Sequence, residues 1–314
     1  MSNFIFSINV TVPIFLIILL GYILRKMNFL TDEFARVANK YVFSIALPAM
    51  LFLDVSKTNV ESDMNPKFFW FCLIVTIAMF VAVFAGARIF IMDKSIVGAF
   101  AQASARGSAA VLGVAFVENI CGEPGMTPLM IVAAVPFFNI LSVIILVCSA
   151  CDEKKDYSKI KTSIINIGKN PIILSILAGV IVSLIGIKLN VIFERSVKYL
   201  SNTATPIALL AIGAGFDKNE AIKKIKPAVV ASLIKLLILP AVFLPIAAMM
   251  KFSPSEMVAI LIMLASPTTV SCYIMAKNMN NDGNLTSNVI VITTLMSSIT
   301  LTMWIFILRS FGLI

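Results

Sequence analysis

Two basic residues deep in apolar stretches are the first candidates for chemistry in this sequence. Arg106 lies in SIVGAFAQASARGSAAVLGVAF, and Lys235 lies about eight residues into the stretch 227–249. A charge at the centre of a membrane span costs about 2.5–3.5 kcal/mol on insertion scales, so it faces a partner, water or a ligand. The acidic residues fall near the ends of their stretches: Asp54, Glu118, Glu194 and Glu256. Two deep cations predict an anionic ligand, although Lys235, which we assign a charge role, could instead extend to the cytoplasmic surface.

Small and polar residues interrupt two of the apolar stretches, at ARGS (105–108) and at SPTTVS (266–271). A broken helix leaves N–H and C=O groups that must line a cavity or be buried in protein, and the N-terminus of a half-helix attracts anions. The predicted substrate-binding residues are Arg106, Ser104, Ser108, Asn139, Ser266, Pro267, Thr268, Thr269 and Ser271. Close helix packing is the alternative for the hydroxyl residues, and a bond to a neighbouring helix is the alternative for Asn139.

Ten apolar stretches must position these residues. Their limits are 5–24, 34–54, 68–91, 95–117, 126–148, 171–188, 192–215, 227–249, 255–276 and 285–309. About 20 residues cross the hydrocarbon core, and 60% hydrophobic residues with a mean hydropathy of +1.00 exclude a soluble domain. Long unbroken stretches also exclude a membrane β-barrel, whose strands alternate. The predicted fold is an all-α polytopic membrane protein with ten transmembrane helices, of which helices 4 and 9 are broken.

Residues 13–51 and 171–209 share one pattern, which predicts an internal repeat. The repeat pairs Pro48 with Pro206, and a proline inside a helix bends it, so we predict kinks near the substrate path, with plain packing kinks as the alternative. Lys and Arg are more numerous in the loops after stretches 1, 3, 5, 7 and 9. These loops should be cytoplasmic, with both termini outside. Because each half holds five stretches, the halves 1–148 and 171–314 are predicted to be inverted, with a cytoplasmic linker at 149–170.

Other classes of function find little support in the residues. The net charge of +9 is spread over short loops, without the basic stripe of a nucleic-acid-binding surface. There is no histidine, and the CxxC pair of Cys148 and Cys151 lacks further ligands, so we predict no metal site, no cofactor and no catalytic residue. The predicted partners are a small organic anion and the lipid bilayer. A homodimer stays open, as does the choice of a proton or sodium as the coupling ion.

Several motifs resemble the auxin efflux carrier family, namely GYILRK (21–26), YVFSIALPAMLF (41–52), TPIALLAIGA (205–214) and ASPTTVSCYIMAK (265–277). The resemblance covers essentially the whole chain, and the bacterial branch of malate and malonate permeases is the most similar. It implies two inverted five-helix repeats, related to the bile acid:sodium symporter fold, with crossing broken helices 4 and 9. It also implies a scaffold of helices 1, 2, 6 and 7 and a transport domain of helices 3–5 and 8–10.

The resemblance carries over to single residues only in part. Pro267 matches the crossover proline of the family's ninth helix. Many members have an Asn and a later Gly-x-Pro in the fourth helix, where this chain has Arg106-Gly107-Ser108 and Gly113-Val114-Ala115. Residues and resemblance together predict a secondary transporter of the cytoplasmic (inner) membrane that moves a small organic anion, such as a mono- or dicarboxylate, by alternating access. A membrane ligand sensor or regulatory subunit of the same fold is the alternative.

Overall fold

The computed structural model describes residues 2–56, 65–109, 117, 120, 125–150, 168–186, 189–216 and 218–314. This part of the chain consists of helices and short connections, without a β-strand, so the all-α prediction is confirmed. Most of the predicted linker at 149–170 lies outside the described residues, as do Gly113 and Cys151.

The helices follow one another in the order that the apolar stretches predict. In the first half they are α1 (Ser2–Lys26), α2 (Asp32–Tyr41), a π-helical turn (Val42–Ala46), α3 (Leu47–Ser56), α4 (Pro66–Phe90), a 3-10 turn (Lys94–Ile96), α5 (Val97–Ala105) and α6 (Thr127–Ala150). In the second half they are α7 (Pro171–Ile185), α8 (Val191–Ala214), α9 (Lys218–Lys223), α10 (Ile225–Leu233), a π-helical turn (Ile234–Ile238), α11 (Leu239–Met249), α12 (Pro254–Ala265), α13 (Ser271–Asn278) and α14 (Gly283–Ser310).

Among the described residues, five helical segments are long and apolar enough to cross a membrane. They are Asp32–Ser56, Pro66–Phe90, Thr127–Ser149, Ile225–Met249 and Gly283–Ser310, which coincide with predicted stretches 2, 3, 5, 8 and 10. Two shorter apolar helices, α7 and α12, coincide with stretch 6 and with the first half of stretch 9. These segments support a membrane protein, whereas the full set of ten spans stays a prediction.

Side-chain caps set the ends of α4 and α12 and hold them together. The Asn65 side chain accepts the Phe68 N–H at 3.2 Å, and Ser253 forms a capping box with Glu256. Each cap is followed by a proline at the first helical position, where a missing N–H costs nothing. Asn65 Nδ2 also donates to Glu256 Oε1 at 2.6 Å. The start of α12 is thereby fixed beside the start of α4.

The helices differ sharply in what surrounds them. In α12 the residues from Met257 to Ala265 are fully buried, so protein encloses this helix on all sides. In contrast, α1 and α7 expose apolar side chains such as Leu16, Leu20, Leu174 and Leu184. Lipid tails are as apolar as leucine, so an exposed apolar face is suited to contact with lipid. The enclosed α12 must therefore be held by packing and polar contacts with other helices.

Two close contacts mirror each other across the repeat. A methyl group placed on Gly21 of α1 would lie 2.5 Å from the carbonyl oxygen of Leu210 in α8. One placed on Gly179 of α7 would lie 3.0 Å from the carbonyl oxygen of Phe52 in α3. The repeat equates Gly21 with Gly179 and Phe52 with Leu210. Glycine at both positions lets α1 approach α8 and α7 approach α3 in the same way.

Both π-helical turns end two residues before a proline. The Leu47 N–H donates to Val42 O just before Pro48, and the Leu239 N–H donates to Ile234 O just before Pro240. Such turns are rare and occur frequently at functional sites. By contrast, α8 continues through Pro206 as an α-helix, so the two prolines that the repeat pairs have different local backbones.

A cluster of charges joins the starts of three helices on the predicted cytoplasmic side. Lys224, which precedes α10, places its Nζ 3.1 Å from Asp93 Oδ2 and 3.5 Å from Asp282 Oδ2. Asp93 caps the 3-10 turn that leads into α5, and Asp282 caps α14. Hydrogen bonds from Ser95 and from Lys224 hold the pKa of the Asp93 carboxyl below its ordinary value. The cluster fixes the ends of α5, α10 and α14 relative to one another.

Candidate functional site

Both predicted interruptions have extended backbone. Arg106 follows α5 with φ −82° and ψ 126°, and Ser266 follows α12 with φ −63° and ψ 148°. The chain returns to helix at Ser271, the first residue of α13. Pro267 explains the second interruption, because proline lacks an N–H and disfavours helical backbone in the residue before it. At the first, Gly107 weakens the helix by about 1 kcal/mol relative to alanine.

The two interruptions contact each other directly. The Ser108 N–H donates to Pro267 O at 2.9 Å, and Thr268 Oγ1 donates to Ala103 O at 2.8 Å. The Thr268 N–H donates in turn to Thr293 Oγ1 of α14 at 3.1 Å. Backbone groups that a broken helix leaves unpaired are therefore satisfied across the crossing. This is the condition for breaking a helix inside a membrane.

A glycine permits this close approach. A methyl group placed on Gly107 would lie 2.4 Å from Ser266 Oγ and 2.9 Å from Lys235 Nζ. Real Cβ atoms essentially never approach other atoms that closely. A side chain at position 107 would therefore displace the Ser266 hydroxyl and the Lys235 ammonium from their positions.

The Arg106 guanidinium is buried beside the crossing and contacts neutral groups. Its Nη2 donates to Asn139 Oδ1 at 2.5 Å, and its Nη1 lies 2.8 Å from Met275 Sδ. Asn139 Nδ2 donates to Val135 O of its own helix at 2.9 Å, which orients the amide oxygen towards Arg106. None of the ion pairs found among the described residues includes Arg106. A buried charge with only neutral partners is costly, so this guanidinium is suited to an anion.

Two small cavities border the crossing. The first, of about 40 Å³, is called the crossing cavity and is lined by Ile14, Val42, Leu47, Met50, Ser108, Ala204, Thr205, Ala208, Pro267, Thr268, Thr269, Val270, Ser271 and Thr294. The second, of about 30 Å³, is called the arginine cavity and is lined by Met50, Leu51, Asp54, Arg106, Gly107, Ser108, Val135, Phe138, Asn139, Thr269 and Ser271. Ser108, Thr269 and Ser271 line both, so the two cavities are neighbours around the interrupted segments.

Most of the predicted binding residues lie at these cavities. Arg106, Ser108, Asn139, Pro267, Thr268, Thr269 and Ser271 line one or both of them. Ser104 does not, since its hydroxyl donates to Phe100 O within α5 at 2.7 Å. The Ser266 hydroxyl is buried and has no hydrogen-bond partner among the described residues. Pro48 and Pro206 do not line the cavities, but their neighbours Leu47 and Thr205 do.

The sequence reasoning missed several cavity residues. Asp54 was placed at the end of its stretch, yet it lines the arginine cavity. Its position four residues after Met50 puts both on one face of α3, which lines the cavity. Thr205 and Thr294, which were not among the predicted binding residues, add hydroxyls to the crossing cavity, although the sequence places Thr294 at mid depth of its stretch. Gln102 is also buried and donates from Nε2 to Cys272 O at 2.9 Å, which ties α5 to α13.

Lys235 points into the protein. Its side chain is fully buried, and its Nζ donates to Ala105 O at 3.1 Å and to Met263 O at 3.4 Å. The alternative that Lys235 extends to the cytoplasmic surface is therefore wrong. The π-helical turn at Ile234–Ile238 changes the direction of the side chain, which helical periodicity does not predict.

Apolar helices that end at polar interruptions, contact each other there and lie beside a buried cation and polar cavities are typical of membrane transporters with broken helices. Residues 6–305 match the family model described as membrane transport protein. The chain belongs to this family, which confirms the resemblance to the auxin efflux carriers.

Several relatives match over almost their whole length. An "Uncharacterized transporter" of Methanocaldococcus jannaschii is 23% identical over 96% of this chain and 98% of its own. A "Putative malonate transporter" of Rhizobium meliloti is 25% identical over 96% of each chain. An "Uncharacterized transporter" of Escherichia coli is 23% identical over 97% of this chain and 98% of its own.

Proposed function

We propose that this protein is a secondary transporter that carries a small organic anion, a mono- or dicarboxylate, across the cytoplasmic membrane by alternating access. The observation that carries the proposal is the Arg106 guanidinium, which is buried at the arginine cavity with Asn139 and Met275 as its partners. A carboxylate can accept two parallel hydrogen bonds from a guanidinium. The name of the Rhizobium relative makes malonate the first acid to test.

The small volume of the site supports a mechanism with moving parts. A buried water needs roughly 10–15 Å³ of cavity volume, so each cavity has room for only a few waters. A dicarboxylate is larger than a few waters and does not fit in either cavity as it stands. Binding would therefore require α3 and α8 on one side to separate from the interrupted helices on the other. This matches the proposed division into a scaffold and a transport domain.

We also propose that the two halves form an inverted repeat of ten spans, with both termini outside. The mirrored contacts of Gly21 with Leu210 and of Gly179 with Phe52 support a two-fold relation between the halves. The bias of Lys and Arg towards alternate loops supports the orientation. Labelling of single cysteines placed at Asn28 and at Ile314 from either side of sealed vesicles tests it, because the two positions should be labelled from opposite sides.

Uptake of labelled malonate and malate into proteoliposomes tests the transport function. Arg106→Gln should lower uptake by about 100-fold, because truncating one partner of a buried charged pair costs 2–5 kcal/mol. Arg309→Gln is the matched control, since Arg309 is exposed at the end of α14, and it should retain wild-type uptake. Wild-type transport by Arg106→Gln would refute the role of Arg106. A lack of uptake by the wild-type protein, with a panel of small carboxylates, would refute the substrate class.

A further inference from the structure

Lys235 ends at the meeting point of two helix termini. Its Nζ donates at 3.1 Å to the carbonyl of Ala105, the last residue of α5. It donates at 3.4 Å to the carbonyl of Met263, two residues before the end of α12. Both carbonyls belong to the last turn of a helix that stops at an interruption. The same ammonium thus serves both interrupted helices.

Helix termini of this kind attract a positive charge. The last four carbonyls of a helix lack N–H partners within the helix and carry partial negative charge. In secondary transporters with broken helices, the C-terminal ends of half-helices and unwound carbonyls coordinate sodium. In this chain an ammonium that belongs to the protein lies at such a position.

The surroundings of the ammonium resemble the ligand set of a small cation. Gly107 has no side chain to fill the space between Lys235 and Ser266. A methyl group at this position would lie 2.9 Å from Lys235 Nζ and 2.4 Å from Ser266 Oγ. The Ser266 hydroxyl is buried and has no partner among the described residues. The two carbonyl oxygens contact the ammonium directly, and the buried Ser266 hydroxyl borders the same space at Gly107 without a hydrogen bond to the ammonium. Lys235 itself lines neither cavity, so its charge serves the crossing rather than the bound anion.

We propose that Lys235 is a tethered cation that takes the place of a dissociable sodium ion at the helix crossing, so that anion binding beside it needs no inorganic cation. The inference rests on the proposed function where it concerns transport. It also predicts how Lys235 and small cations affect the stability of the protein in the absence of any substrate. Removal of the side chain, as in Lys235→Ala, should leave carbonyl and hydroxyl oxygens that accept a small monovalent cation such as sodium or methylammonium.

Thermal unfolding of the purified full-length protein tests this without any substrate. The wild-type melting temperature should be the same in sodium, choline and methylammonium chloride, since the crossing is already occupied. In choline chloride, Lys235→Ala should melt about 5 °C lower than the wild type, because two carbonyls lose their donor. Sodium or methylammonium should recover at least about half of that loss, since a ligand that binds only the folded state stabilises it. Lys226→Ala changes an exposed lysine of α10, the helix before the turn that holds Lys235, and should behave as the wild type in all three salts.

Two further variants cover the case in which Lys235→Ala does not fold. Lys235→Arg keeps a positive donor and should retain stability, whereas Lys235→Met keeps the length and loses the charge and should be destabilised. In proteoliposomes, wild-type malonate uptake should be equal with sodium, potassium or choline on both sides. This measurement needs no variant.

Three outcomes would overturn the inference. They are a sodium-dependent rise in the wild-type melting temperature, full stability of Lys235→Met, and a Lys235→Ala protein that no small cation stabilises. If the wild type carries no organic anion at all, the proposed function fails, but the unfolding measurements still decide the role of Lys235.

Discussion

Arg106 and Lys235 are both buried cations at the helix crossing, but they have different partners. Lys235 donates to the carbonyls of Ala105 and Met263, which end two helices and carry partial negative charge. Arg106 donates to a neutral amide and contacts a thioether, and it lines a cavity. The two buried cations therefore have different surroundings, although both lie beside the interrupted segments. The helix-end carbonyls satisfy Lys235, whereas the partners of Arg106 are neutral, which supports the proposed role of Arg106 in binding an anion.

The comparison shows that burial alone does not mark a ligand-binding cation. From the sequence alone, Arg106 and Lys235 are expected to cost a similar free energy in an apolar span. The partners decide the role, since unpaired carbonyls of a helix end can satisfy an ammonium and a neutral amide cannot neutralise a guanidinium. The first prediction below therefore alters a partner of Arg106 rather than Arg106 itself.

The largest effect should come from a change that gives Arg106 a permanent counter-charge. Asn139→Asp replaces the amide oxygen 2.5 Å from Nη2 with a carboxylate of the same size. We expect a stable protein whose apparent affinity for malonate falls by about 10–100-fold, because the new carboxylate competes with the substrate for Arg106. Uptake kinetics in proteoliposomes measure the change in KM.

Asn139→Ala is the matched control for that variant. It removes the hydrogen bond without adding a charge, so its KM should change less than that of Asn139→Asp. Equal KM values for Asn139→Asp and the wild type would show that Arg106 does not bind the anion.

The next effect concerns the turn that carries Lys235. Pro240 lacks an N–H, and the carbonyl of Leu236 accepts instead from Trp304 Nε1 of α14 at 2.9 Å. Trp304→Phe leaves this carbonyl without its donor and should lower the free energy of unfolding by about 1–3 kcal/mol. The KM for the anion should stay unchanged, since Trp304 lines neither cavity. Denaturation in detergent and uptake kinetics provide the two readouts.

Trp70→Phe provides the comparison for Trp304, because the Trp70 side chain is 57% exposed. It should have wild-type stability. If Trp304→Phe unfolds at the same denaturant concentration as Trp70→Phe, the Leu236 carbonyl finds another donor, and the π-helical turn does not depend on α14.

The sequence predicted the interruption at Pro267 because its causes are local. Proline removes one donor and disfavours helical backbone in the residue before it, and Ser266 is extended as this bias predicts. The partners of Arg106 were not predictable in the same way, because Asn139 and Met275 are distant in sequence and meet the guanidinium only through packing. The assignment of these residues to substrate binding stays a prediction.

The direction of the Lys235 side chain could not be predicted from the sequence. Its depth in the stretch fitted either a buried side chain or one that extends to the surface. Lys235 lies in a π-helical turn before Pro240, and in this turn the Leu236 carbonyl accepts from Trp304, which lies 68 residues after Leu236 in α14. Neither the turn nor this hydrogen bond gives a periodic pattern of residue types in the sequence. Asp54 was missed for a related reason, since distance from the end of a stretch does not show which face of α3 lines a cavity.

The smallest effect on stability should come from replacing Lys224. This lysine lies 11 positions before Lys235 and has carboxylates as partners. Burial alone would lower the pKa of the Lys224 ammonium, but the hydrogen bond to Asp93 and the charge of Asp282 raise it above its ordinary value of 10.5. The cluster is partly exposed, so Lys224→Met should cost less than about 1 kcal/mol of stability at neutral pH.

The pH dependence of that cost tests its electrostatic origin. The lowered pKa of Asp93 means that its contribution is present above its unfolded value of about 3.9 and is lost as the pH falls through the folded value. The raised pKa of Lys224 means that its contribution is present below about 10.4 and is lost as the pH rises through the folded value. Melting curves of wild type and Lys224→Met should therefore differ near neutral pH and converge in acid. A difference that persists in acid would mean that Lys224 holds α5, α10 and α14 by packing of its alkyl chain rather than by charge.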